Sequence, residues 1–413
     1  NAGPSLPRVG GDLVVNGGNA LQLGTVTLVA DSSLTANGAG VLTTGAVAGG
    51  ALDLSLDAGA GTLTVDAFSD VAALELVDAS GASFANASDA ATVDLNGTGN
   101  GTYTFADELV ATTLTTNAGD ADGVDDLFTL ELVGGLALTD AVAFDHDGDL
   151  LIGAAGVTST FTGGFETTAV AGQVRLAGNL VSPGGITVGD LVLTEDTTLA
   201  SAGADLIAGT ITSDPVDTRA LTLDGGATGT IEIVSLADLG DLVITDSGAT
   251  TFTGTVNANT VTLEDSSGTI AFEDDVTIDT ALVTQVNPYA LSFTGGTNTI
   301  AGATTFNHSG TLTLGDGGDD FEFATGITAT APATINLNGA VSVNSGVITL
   351  GDGDTTVNVE TDTTLGGAAT AINLGVANLS DDVDLALGTG TGAAVTLAGA
   401  EGTADGAASV ETV

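Results

Sequence analysis

The amino-acid sequence predicts an all-β protein, a parallel β-solenoid (β-helix) of short coils, and three observations carry that prediction. Short runs alternate apolar residues with hydroxyl or acidic ones, as in Leu52-Asp53-Leu54-Ser55-Leu56, Leu221-Thr222-Leu223 and Leu312-Thr313-Leu314, the period-2 pattern of a strand buried on one face. Gly-Gly, Asn-Gly, Asp-Gly and Ser-Gly turn dipeptides separate these runs. Phenylalanines fall at 84, 105, 128, 144 and 161 and again at 252, 272, 293, 306 and 323, a rhythm of about 18–20 residues. No window sustains apolar residues at helical spacing, so helices are not expected.

Each element follows from what one coil lacks. A coil of that length cannot bury its inward side chains alone, and stacking on its neighbours at about 4.8 Å completes both ladder and core. Ala, Val, Leu, Ile and Thr fill a narrow interior, Gly and Asn permit left-handed corners, and one Phe per coil at similar phase stacks as an internal column. The alternative with similar turn signals is a tandem array of all-β sandwich domains.

Above the coil lies a longer repeat. Asp31-Ser32-Ser33-Leu34 returns as Asp196-Thr197-Thr198-Leu199 and as Asp362-Thr363-Thr364-Leu365, offsets of 165 and 166 residues. Phe144-Asp145-His146-Asp147-Gly148 returns as Phe306-Asn307-His308-Ser309-Gly310, and Arg8 returns as Arg175. The chain therefore reads as one continuous array: residues 1–25 end a preceding unit, 26–190 and 191–356 are full units, and 357–413 begin a third. With no Met and no visible signal peptide, the sequence reads as processed or as part of a longer protein.

Composition excludes several functions. Against 53 Asp+Glu there are 3 Lys+Arg, a net charge of −50; three arginines cannot neutralise a phosphate track, so nucleic acid is not a partner. Anionic membrane surfaces repel such a chain, no apolar run is long enough for a spanning helix, and two tyrosines without Trp cannot form the aromatic girdles of a membrane barrel. Without Cys there are no disulfides and no cysteine-ligated zinc. Disorder is not expected, because mean hydropathy is positive and Val, Leu and Ile are abundant.

Runs such as 220–244 and 310–365, where strand triplets alternate with Gly, Asn and Asp turns and no Cys or Lys occurs, resemble the β-solenoid shafts of bacterial surface proteins. The nearest groups are filamentous-haemagglutinin-like adhesins and autotransporter passenger domains. The resemblance implies secretion, surface display and a shaft that presents or links without enzymatic activity.

Clustered aspartates are the one constellation with chemical potential. Asp120, Asp122 and Asp125 form a D-x-D-G-x-D run around Gly123, with Glu131 at the twelfth position from Asp120, and Asp145, Asp147 and Asp149 have a similar spacing around Gly148. Alternate carboxylates around a glycine turn suit a hard cation, so these seven residues are the candidate calcium ligands. The competing expectation is solvated turns, favoured by the replacement of Asp145 and Asp147 by Asn307 and Ser309 in the second unit. Asp316-Gly317-Gly318-Asp319-Asp320 and Asp352-Gly353-Asp354 are shorter versions. His146 and His308 read as turn or cap residues. Thr-x-Thr triplets such as Thr260-Val261-Thr262 do not recur coil by coil in the sequence, so they read as ordinary strand faces.

An enzyme is not expected: cleavage of acidic polysaccharides needs convergent basic residues, and Arg8, Arg175 and Arg219 are all the chain has. No cofactor is required, calcium being the one candidate. The expected function is an extracellular structural protein, a rigid acidic solenoid of a surface fibre, filament or sheath that self-associates. The alternative is a calcium-dependent adhesin shaft that binds carbohydrate or another cell surface.

Overall fold

The structure, a computed structural model, describes residues 7–97, 100–116, 127–390, 392–402 and 409–412. No helix occurs among them, and the strands pair in parallel with register partners about 21 residues apart. That pattern establishes a parallel β-solenoid and excludes tandem sandwiches, which are antiparallel. The chain divides into two compact units, Asn1–Ser201 and Ala202–Val413.

Within each unit a coil contributes one strand to each of three sheets. In the first unit one sheet stacks Leu42–Thr44, Thr62–Val65, Gly81–Phe84, Thr102–Phe105, Thr129–Leu132 and Leu150–Ile152. Its inward columns run Leu42, Leu63, Ala82, Tyr103, Leu130, Leu150 and, two residues on, Thr44, Val65, Phe84, Phe105, Leu132, Ile152. All twelve are buried. In the second unit the first sheet stacks 221–223, 242–244, 261–263, 282–284, Thr304–Thr305, Ile327–Ala329, Val347–Leu350, 371–374 and 394–397. The second sheet holds Ala249–Phe252, Thr269–Phe272, Ala290–Phe293, 311–314, 334–337, Thr356–Val359 and 376–379. The third holds 276–278, Thr297–Ile300, 320–323, 340–343, Thr363–Gly367 and Asp384–Gly390.

The spacing is a little longer than the phenylalanine rhythm, because corners vary in length while strands keep register. Along the first sheet of the first unit the step is 19 residues from Leu63 to Ala82 but 27 from Tyr103 to Leu130.

Stacked rings form the spine of both interiors. Phe84 lies 4.4 Å from Phe105 with planes 9° apart, and the repeat-equivalent Phe252 and Phe272 stack at 5.0 Å, with Phe293 4.8 Å further on. Rings at identical register meet face to face because parallel stacking places each side chain over its partner. Buried hydroxyls are bonded between coils in the same way. Ser247 donates to Ser266 Oγ at 3.0 Å, and Ser266 shares its own hydroxyl with the Ser247 carbonyl at 3.1 Å. Outside, Asn378 donates to Asn358 at 3.4 Å, Asn358 to Asn336 at 3.1 Å and Asn336 to Thr313 at 3.3 Å, a side-chain ladder on the second sheet.

Some corners are tightly constrained. At Gly61 a Cβ would collide with the Gly40 carbonyl oxygen of the preceding coil, so no larger residue fits without moving the chain.

Replacing Phe272 by Ala removes a ring stacked on both sides. The expected loss is about 3–5 kcal/mol of stability, read as a lowered denaturant midpoint; a change within error would show that the ring column is not a main source of core stability.

Candidate functional site

Many acidic side chains sit at corners, and a second group lines an outward groove. At corners an aspartate typically accepts a backbone N–H that the strand ladder leaves without a partner. Within a coil, Asp57 accepts from Gly59 at 2.8 Å and its repeat-equivalent Asp224 from Gly226 at 2.9 Å. Between coils, Asp31 accepts from Asp53 N at 3.1 Å, Asp89 from Asp70 N at 2.7 Å, Asp275 from Thr297 N at 2.7 Å and Asp362 from Asp384 N at 2.9 Å. Asp205 takes both the N–H and the hydroxyl of Thr230, at 3.1 and 2.8 Å, and these bonds hold its carboxyl below the usual carboxylate range. The short Asp/Gly runs behave likewise: Asp319, 6% exposed, accepts from Asp316 N at 2.7 Å, and Asp352 accepts from Asp354 N at 3.2 Å. The aspartate is thus a clasp, chosen because its short acceptor reaches backbone that a turn leaves open.

The groove lies on an outward sheet of the first unit. Asp12, Ser33, Ser55, Glu75, Asp94 and Thr115 form one continuous column, each in register with the next coil. Asp12, Ser33, Ser55, Glu75 and Asp94, with Asp31 and Asp53 beside them, line an open groove of about 450 Å³. Thr115 donates to Asp94 at 2.7 Å. Glu75 and Asp94 face each other directly, an arrangement that like charge disfavours. The groove offers only oxygen donors at its polar positions, chemistry that fits hard cations or cationic groups.

Four of the seven candidate calcium ligands, Glu131, Asp145, Asp147 and Asp149, fall among the described residues. Asp120, Asp122 and Asp125 lie outside the described residues. Glu131 sits in Thr129–Leu132 and accepts from the Thr104 hydroxyl at 3.0 Å. Asp145 exchanges two bonds with Thr116: the hydroxyl donates to Oδ1 at 2.9 Å, and Asp145 N donates to the hydroxyl at 3.1 Å. Asp147 occupies the bend before Gly148. Asp149 accepts from Gln173 N at 2.9 Å and pairs with Arg175 at 3.3 Å, a half-exposed ion pair of small worth. Among the described residues no three His, Asp or Glu come together as a cage for a metal ion.

Comparison with known proteins returns no match to any family model, curated protein or solved structure.

Each histidine lies at a turn, directly before a bend, but it is a core residue and not an exposed cap. Both are fully buried and belong to ring columns: Tyr103, Phe128 and His146 stack at 4.6 and 4.9 Å, and Tyr289 and His308 at 5.1 Å, with Phe306 edge-on to His308 at 5.9 Å. The tyrosine hydroxyls donate to the carbonyls of Ala79 and Leu263, at 3.0 and 3.2 Å. His146 Nε2 lies 3.2 Å from the Asp149 carbonyl, while its Nδ1 and both nitrogens of His308 lack a well-aligned partner. Burial lowers the pKa of each imidazole. The Asp149 carbonyl and the charges of Asp145, Asp147 and Asp149 oppose that for His146. For His308 only the Thr311 backbone opposes it, and the pKa falls to about 4.

The sign follows from linkage. An unfolded chain binds a proton at His308 near the ordinary value of 6.5 and the folded chain only near 4, so the stability present above pH 6.5 declines as pH falls towards 4. The loss amounts to about 3 kcal/mol from this one group. In His308→Phe, which keeps the ring stack, urea melts between pH 7 and 4 are expected to lose that much less stability than wild type; parallel curves would refute the assignment.

Proposed function

We propose that this chain is a structural protein, a rigid acidic β-solenoid that forms part of an extracellular surface fibre, filament or sheath and self-associates. The observation that carries the reading is the use made of its ionisable side chains: carboxylates clasp neighbouring coils at the corners, and the histidines pack in the core. Stacked rings, hydroxyl chains and the asparagine ladder add stiffness along the stacking direction. The net charge of −50 supports a cation-sensitive assembly, since like-charged copies repel until salt or calcium screens them.

Surface placement agrees with the resemblance to adhesin and autotransporter shafts and with a chain that has only three sites for trypsin-like cleavage. A second reading, a calcium-dependent adhesin shaft with a carbohydrate or cell-surface partner, draws on the carboxylate groove of the first unit.

Electron microscopy of the purified protein with calcium and after chelation tests both. Fibres in both conditions are the expected result. Fibres only with calcium would make the carboxylates working joints and favour the second reading, and discrete particles throughout would end the self-association proposal.

A further inference from the structure

Charge is unevenly distributed around the coils of the second unit. Between residues 281 and 397 there are 11 carboxylates and no Lys or Arg. Nine fall in the runs 316–322, 360–362 and 381–384, on the third sheet or the corner leading into it. The other two, Asp352 and Asp354, share one corner between the first and second sheets. Over the same span the first sheet carries no ionisable side chain on any of its six strands: 281–284, Thr304–Thr305, Ile327–Ala329, Val347–Leu350, 371–374 and 394–397.

That sheet presents a regular outward column. Val283, Thr305, Thr328, Thr349, Asn373 and Thr396 stand in register from coil to coil, with Val347, Ala371 and Ala394 in a parallel row. Asn373 donates to the Thr349 hydroxyl at 3.3 Å, and Val283 and Val347 are each 37% exposed. These column residues, 21 to 24 apart and unrelated to the eye in sequence, are one ladder in space.

We infer that this uncharged sheet is the surface through which one copy of the chain docks against the same sheet of a second copy. The inference rests on the self-association reading above and names its contact. Two chains of net charge −50 repel wherever carboxylates meet, and screening extends only over about 8 Å at physiological ionic strength. Approach is cheapest at the sheet that carries no carboxylate on its own strands, with Asp352 and Asp354 at one corner beside it. A flat row of methyl and hydroxyl groups repeated every ~4.8 Å is self-complementary, and sheets stack face to face at about 10 Å. Six strands of about four residues cover roughly 400 Å² per copy, about half of a standard interface. The pairing is therefore a weak, concentration-dependent, two-fold symmetric contact.

Sedimentation velocity of the full chain over a concentration series, at low and high salt, tests this. Wild type should associate, more strongly with salt. Thr328→Asp and Thr349→Asp, at the centre of the sheet, should weaken association by about tenfold or more, because they place carboxylates face to face. Thr299→Asp adds the same charge on the third sheet beside Glu322 and should change association by less than about twofold. Thr328→Val keeps the face neutral and should associate as wild type, which separates a charge effect from a folding defect. Equal weakening by all three aspartates, or none from the two on the face, would overturn the inference while leaving self-association standing. Wild type that stays monomeric throughout would end both. Retention of that monomer on a neutral polysaccharide column, lost in Thr328→Asp, would give the face to a carbohydrate instead.

Discussion

Neighbouring coils of a parallel solenoid are held about 4.8 Å apart by their backbone hydrogen bonds, and the rest of the molecule answers to that distance. At this separation each residue has its register partner directly above it, so a side chain is acceptable only if it tolerates a near copy of itself. Rings do so by stacking, as Phe252, Phe272 and Phe293 show, and amides do so by bonding head to tail, as Asn336, Asn358 and Asn378 do. Ionised carboxylates tolerate it least.

This constraint explains where so acidic a chain keeps its charge. On strands a column of carboxylates would repel itself, and in the second unit the first and second sheets largely avoid it. At corners the same residues gain an N–H donor from their own or the neighbouring coil and are splayed by variable turn lengths. The exceptions are the groove of the first unit, where Glu75 and Asp94 are register partners and Asp12 lies in the same column with two serines between, and the strand-end pairs Asp57–Asp78 and Asp224–Asp246. Tight stacking and high charge coexist because they occupy different parts of the coil.

Much of this was legible in the sequence, since period-2 runs and glycine turns are local signals and parallel stacking follows from their regularity. The coil length was read slightly short because phenylalanines mark two different inward columns: Phe105 belongs to one, and Phe128 stacks with Tyr103 of the other. The histidines were legible as turn residues, but their burial was missed although a signal was present. In Phe144-Asp145-His146 and Phe306-Asn307-His308 the alternation runs on from the phenylalanine and turns the imidazole inward. The clasping role of the aspartates and the threonine ladder were not legible, because each depends on which residue of the next coil lies opposite. Corners of unequal length hide that from any fixed spacing.

Those unequal corners bear on heredity. Register resumes after the 27-residue step between Tyr103 and Leu130 as it does after a 19-residue one. A lineage carrying this fold can therefore lengthen a turn without disturbing its neighbours. Because the coils present similar upper and lower edges, unequal recombination that adds or deletes one whole coil rejoins matching strands, whereas a deletion of half a coil brings mismatched sheets together. The size of such a protein is free to drift between generations, in steps of a coil.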